Sequence, residues 1–233
     1  MSEVRGLRIS ASASLKEKRL AALLGGRDPA SSSLTEAIED AQLLGSLELA
    51  GIPLSWDEVV ASRHRPGAEP LQRLRQARGA VDPKALLTVD ALRAWQAALF
   101  GGEAGWRRGA RTREGLPPAP PEMIPGRLGV LEEWINSGSG RELKPAQQGA
   151  LALARVVEIL PFEDGNGRVS RLAASHLMVR GGLRPPILVA GDGPRLAACL
   201  QAAFRFDTEP LCALLTEASE RCLDVMIQSL ERG

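Results

Sequence analysis

Twelve consecutive residues, Leu160-Pro161-Phe162-Glu163-Asp164-Gly165-Asn166-Gly167-Arg168-Val169-Ser170-Arg171, carry the side chains best placed to do chemistry. An acid, Asp164, leads into a turn made by Gly165, Asn166 and Gly167, and two arginines, Arg168 and Arg171, follow it. Pro161 disfavours helical geometry at Leu160, so the preceding helix stops there. Glycines free to take positive φ let successive backbone amides converge on an anion. A helix starting in the turn adds unsatisfied N–H groups and the positive end of its dipole. Arg168 and Arg171 are three residues apart, so their guanidinium groups emerge on neighbouring parts of one helical face. Each is a fixed charge suited to phosphate oxygens, and Asp164 stands where a carboxylate can hold Mg²⁺ bridging those phosphates. The chain has no G-x-x-x-x-G-K-[ST], so the loop is not a P-loop. For a bare G-x-G, a helix–helix loop with arginines paired to surface acids is the simpler reading. The acid, asparagine and both arginines in one window favour a metal-bound polyphosphate.

The elements that must position this window read as helical nearly throughout. Apolar residues Ile38, Leu43, Leu47 and Leu49 recur at helical spacing over 35–50. Ser55 and Glu58 form a capping-box pattern, with Leu54 and Val59 as the hydrophobic staple, so a helix starts near Trp56. Further helices are predicted over 71–78, 89–100, 125–135, 145–160 and 168–179, with Gly181 and Gly182 ending the last of these. Pro194 marks a helix first turn, and a broad apolar stripe after Thr208 marks a long final helix. Residues 64–70 are breaker-rich, and 101–125 is the least helical part of the chain. Within it, 105–115 has the composition of a short cationic hairpin.

Composition excludes several function classes. With 29 lysines and arginines against 28 acids in 233 residues, no sequence-wide basic field recruits nucleic acid. An aromatic content of 3% with no tyrosine leaves few platforms for stacking bases. No stretch is long and apolar enough for a membrane span. Cys199, Cys212 and Cys222 lie in apolar helical segments without close pairing, as expected of small core residues in a reducing compartment. The expectation is a cytoplasmic, mainly α protein that binds neither nucleic acid nor membrane.

The window resembles the Fic-domain motif H-P-F-x-[D/E]-G-N-G-R-x-x-R, matching every fixed position from Pro161 to Arg171. The likeness extends over residues 85–233, with 106–121 similar to the family's flap hairpin and Pro-rich segment. It implies a Fic-type helical bundle with a short β-hairpin flap, preceded by an N-terminal helical segment over 1–84. Fic domains usually transfer AMP from Mg·ATP to a hydroxyl side chain of a target protein. Carried onto this chain, the resemblance implies Mg²⁺ on Asp164 and an anion-holding loop shaped by Gly165 and Gly167. It further implies Asn166 at the α-phosphate, Arg168 at the β- and γ-phosphates and Arg171 at the γ-phosphate. Residues 111–114 are the edge expected to align a target segment.

Two departures bear on function. Leu160 stands where the family has the histidine that takes the proton from the attacking hydroxyl, and leucine has no lone pair to do so. Losing a general base typically costs ~10²–10⁴-fold in rate. His176 lies eight residues beyond Arg168, ~12 Å along a helix, and does not substitute for it. Ser32-Ser33-Leu34-Thr35-Glu36-Ala37 resembles the family's inhibitory motif [S/T]-x-x-x-E-[G/N], except for Ala37. By that reading Glu36 engages Arg171 and competes with phosphate. Ser33 and Glu36 are also explained as a helix capping box. The expected function is a Mg·ATP-binding relative of protein adenylyltransferases with weak or lost activity. The alternative is a nucleotide-binding pseudoenzyme acting on a regulatory protein partner, and a third is a different transfer or the removal of a modification.

Overall fold

The computed structural model describes residues 11–232 except 27, 29, 66, 104 and 112–116. The described residues form helices α1 (Ala11–Leu24), α2 (Ser32–Glu48), α3 (Trp56–Ala61), α4 (Glu69–Gly79), α5 (Val89–Phe100), α6 (Ile124–Asn136), α7 (Gly138–Glu142), α8 (Pro145–Ile159), α9 (Asn166–Arg180), α10 (Gly193–Ala203) and α11 (Glu209–Arg232). Each helix expected from the sequence is present, with ends shifted by a few residues. No strand occurs among the described residues. Residues 105–111, expected as one arm of a hairpin, run as irregular chain. The expected turn and most of the pairing edge, 112–116, lie outside the described residues.

Local chemistry sets the boundaries. Ser55 accepts from the Glu58 amide at 3.2 Å while Glu58 accepts from the Ser55 amide at 2.7 Å, which completes the capping box of α3. Thr88 caps α5 through the Ala91 amide at 3.0 Å. At α2 the expectation fails. The helix begins at Ser32, so Ser33 already lies inside it, and no side chain caps the Ser31 position.

The largest core cluster joins Leu43 and Leu47 of α2 and Leu71 and Leu74 of α4 to Leu92 and Leu99 of α5. Val156 of α8 and Val169 of α9 complete it from the other side. The core therefore crosses the 84/85 boundary read from the sequence. A buried carboxylate, Asp40, fastens α2 to its neighbours, accepting from Arg75 of α4 at 2.9 Å and from Arg63 at 2.7 Å. Asp40 is fully buried, and such an ion is tolerable only when paired this way. Gly45 of α2 lies so close to the Leu188 carbonyl that a Cβ would sit 1.7 Å from its oxygen, so only glycine permits this approach. Outside the main core, Leu20 of α1 packs against Leu223, Met226 and Ile227 of α11. The three cysteines are free and buried, as expected. No helix among the described residues is long and apolar enough to cross a membrane.

Candidate functional site

The motif joins α8 to α9, the two helices with the most extensive mutual packing. Leu160 closes α8 in the left-handed conformation, φ 49° and ψ 63°, its amide donating to Val156 O at 3.0 Å. For a residue with a Cβ this costs roughly 1–2 kcal/mol. After it the turn is fixed by Asn166, whose Oδ1 accepts from the Phe162 amide at 2.9 Å and whose Nδ2 donates to the Phe162 carbonyl at 2.8 Å. The Asn166 amide is thus committed to shaping the loop. Gly165 takes φ 83°, and a Cβ there would stand 2.7 Å from the Phe100 ring. From this glycine α9 starts, so its first amides lack acceptors within the helix.

Asp164, Arg168 and Arg171 meet at this helix start in different environments. Asp164 is exposed at 74% of its side chain, and its Oδ2 is 3.6 Å from Arg168. The Arg168 side chain is buried, with its guanidinium over the Phe100 ring at 5.0 Å from the centroid. Arg171 donates Nε to Ser46 Oγ at 3.1 Å and Nη2 to Ser46 O at 2.7 Å. Among the described residues no carboxylate lies within ion-pair distance of it. Burial, and then the charge of Arg168, push its pKa down to about 10. A desolvated cation next to another cation has its electrostatic demand unmet, and an anion meets it.

Glu36 is not at this site. It pairs with Arg63 at 2.8 Å, and its side chain is half exposed. Ser46, the residue that does hold Arg171, is ten positions further along α2, ~15 Å along the axis. The side of α2 that reaches Arg171 is its C-terminal end, so the expected contact of Glu36 with Arg171 does not form. His176, expected as a partly buried helix residue, is 3% exposed and away from the loop. His64 is on the surface.

Residues 106–111 line the loop's other side, and two of their partners carry no signal in the motif. Arg107 is 1% exposed. It donates to the carbonyls of Leu160 at 2.6 Å, Gly109 at 2.8 Å and Ile159 at 3.4 Å, and to Ala119 O. Its own amide donates to Pro161 O at 2.9 Å. Glu163, at a variable motif position, accepts from the Arg108 amide at 2.9 Å and from Arg111 at 2.6 Å. Those two contacts, the amide first, hold its carboxyl below the usual range. Trp106 stacks on Phe162 with centroids 5.6 Å apart. A fork of guanidinium donors on carbonyls is visible only once the chain is folded, which is why composition marked 106–111 as cationic and no more.

The arrangement suits a polyphosphate. Helix amides, Arg168 and Arg171 offer positive charge from one side. Asp164 offers a single exposed carboxylate beside them, which fits the way Mg²⁺ is held by one or two protein oxygens with phosphates and water completing its shell.

Residues 86–178 match the family model described as Fic/DOC family. Protein adenylyltransferase Fic of Drosophila willistoni is 36% identical over 107 residues, which are 44% of this chain and 22% of that protein. The protein of the same name from Aedes aegypti is 35% identical over 107 residues, 44% of this chain and 21% of its own. The chain thus spans about a fifth of the length of these curated relatives. Among solved structures, Fic-1 from C. elegans superposes with a TM-score of 0.76 at 20% identity, covering 95% of this chain and 74% of that one. A Fic-domain signaling protein from Bacteroides thetaiotaomicron gives 0.74 at 18% identity, covering 95% and 98%. IbpAFic2 in complex with adenylylated Cdc42 gives 0.53 at 17% identity, covering 97% and 71%. The fold is the helical bundle these structures share. Residues 86–178 are thus similar to the Fic/DOC family.

Proposed function

We propose that the loop binds Mg·ATP and that Leu160 leaves AMP transfer to a protein hydroxyl weak or lost. The observation that carries this reading is Arg171, a desolvated cation held by Ser46 with no carboxylate on it, beside Arg168 at the start of α9. Relatives named protein adenylyltransferase, and a structural neighbour solved together with an adenylylated protein, support AMP transfer as the chemistry to test. In that reaction the target oxygen bonds to the α-phosphorus, the bond to the β-phosphate breaks and pyrophosphate leaves. The hydroxyl proton must also leave. Leu160 presents only its carbonyl and an aliphatic side chain there, and the carbonyl is engaged by Arg107.

In the bound state Arg168 and Arg171 hold the outer phosphates, the α9 amides take the remaining charge, and Asp164 holds Mg²⁺, which neutralises the polyphosphate. Asn166 acts by keeping the loop in shape. The partner is a protein, either a hydroxyl-bearing target or one regulated by the nucleotide-loaded domain. The second role is favoured because Asp164, Arg168 and Arg171 are present while Leu160 stands at the position of the base.

Calorimetry with Mg·ATP on the wild type, Arg171→Met and Leu160→His, beside transfer of labelled AMP, tests this. Wild type and Leu160→His should bind, Arg171→Met should lose at least ~10-fold in affinity, and label should appear on protein only with Leu160→His. Equal transfer by wild type and Leu160→His would overturn the assignment of Leu160.

A further inference from the structure

A cavity of about 320 Å³ opens between the C-terminal end of α4, the 81–85 link and the far side of α9. We propose that it binds a small organic carboxylate, at a site separate from the phosphate loop. Its volume is at the lower end for small-molecule pockets.

His176 carries the argument. Only 3% exposed, it lines this cavity, and neither ring nitrogen has a hydrogen-bond partner among the described residues. A buried imidazole left so costs free energy unless something supplies a partner. The Ala85 backbone lies near enough to act on the ring and raises its pKa against the larger effect of burial. Burial and the charge of Arg180 keep the ring neutral, so one nitrogen donates and the other accepts.

Arg78 supplies the charge. It lines the same cavity, and also the small pocket lined by Arg171 and Ser46, and burial pulls its pKa below the arginine range. No carboxylate of a described residue is within ion-pair distance of it. Glu39 is the nearest acid acting on it, and Glu39 is already held by Arg75 at 3.2 Å. Arg75 is shared between Glu39 and Asp40, whereas Arg78 has no such pair among the described residues, so Arg78 is the cation of this wall open to an anion. The remaining walls carry the Glu39 carboxylate, engaged by Arg75, and the Ser175 hydroxyl, with Val81, Val179 and Pro185 forming an apolar stretch. One guanidinium fork, one neutral imidazole, the Ser175 hydroxyl and the apolar stretch of Val81, Val179 and Pro185 match a carboxylate on a small apolar body. They offer too few donors for a phosphate dianion.

The chain has two histidines, so ring ¹⁵N signals report the site directly, with His64→Gln assigning them. Benzoate and inorganic phosphate are the probes, added separately to the full chain. Benzoate should move the His176 ring signals saturably with a Kd on the order of 1 mM, as befits so few non-hydrogen atoms. Arg78→Met should raise that Kd at least ~10-fold, and Arg171→Met should leave it unchanged. Silence of His176 toward benzoate, an undiminished response in Arg78→Met, or a response to phosphate alone would each overturn the proposal. Because the Arg171→Met control concerns the loop, failure here leaves the Mg·ATP reading standing.

Discussion

Arg107 Nε donates to the carbonyl of Leu160 at 2.6 Å, so a buried guanidinium from one segment holds the left-handed residue that ends α8. The same fork reaches the carbonyls of Ile159, Gly109 and Ala119, tying the base of the irregular 105–111 segment to the motif. Leu160 keeps its strained φ because its surroundings over-determine it.

Arg107→Met should therefore lower stability by about 3 kcal/mol or more, since each buried carbonyl left unpaired costs ~1–3 kcal/mol. Arg107→Lys should recover little, because one ammonium cannot reproduce a planar fork aimed at several acceptors. Urea unfolding of the three proteins checks both, and a lysine variant as stable as wild type would contradict the geometry.

Arg171 answers to Ser46 and not to Glu36. Placing an acid at the contact, Ser46→Glu, should pair with Arg171 and weaken Mg·ATP binding by ~10-fold or more, as a charge-assisted bond competing with phosphate must. Glu36→Gly removes a half-exposed pair with Arg63 and should leave affinity unchanged, at a stability cost under ~1 kcal/mol. Calorimetry on both variants decides which residue controls access to Arg171. A gain of affinity in Glu36→Gly would restore the inhibitory reading of the Ser32 to Ala37 segment.

Gly165→Ala meets two obstacles, a φ of 83° and the Phe100 ring at 2.7 Å from the new Cβ. We expect a loss of ~1–2 kcal/mol from the backbone alone, with weaker nucleotide binding because α9 would start out of place. Adding Phe100→Ala should relieve the clash and leave the backbone strain. If the double variant matches Phe100→Ala in thermal unfolding, the φ requirement is refuted.

His176 makes stability depend on pH. Burial first, then Arg180, lower its pKa from the ordinary 6.5, with the Ala85 backbone and Asp82 opposing. Above that value the ring is neutral folded and unfolded, and contributes no pH dependence. As pH falls below it the unfolded chain gains a proton that the folded one resists, so stability falls, by at most ~1.4 kcal/mol per pH unit. His176→Leu should flatten the change in urea midpoint between pH 7 and pH 5.5, and an unaltered slope would exclude this origin.

Much of this molecule was legible because its signals are local. Val89, Phe100 and the Thr88 cap give α5 its limits, and the glycines and proline of 160–171 announce a helix end, a turn and a helix start within one window. What was not legible depends on contacts between distant segments. Ser33 and Glu36 have the spacing of a capping box, but α2 starts one residue before Ser33, and Arg63, nearly thirty positions away, claims the glutamate. Ser46 meets Arg171 across 125 positions, and Arg107 reaches Leu160 across 53, separations that no periodicity encodes. The hairpin was read from glycine content and charge, yet the amides of Arg107 and Arg108 donate to Pro161 O and to Glu163 of the motif loop.

The packing of α1 on α11 also has a consequence for how the chain is made. Leu20 finds Leu223, Met226 and Ile227 only after residues 25–208 have been synthesised. At ribosomal rates of ~5–20 residues per second, that is on the order of ten seconds or more. Through that interval the apolar face of α1 waits without its partner, open to chaperones or to neighbouring nascent chains.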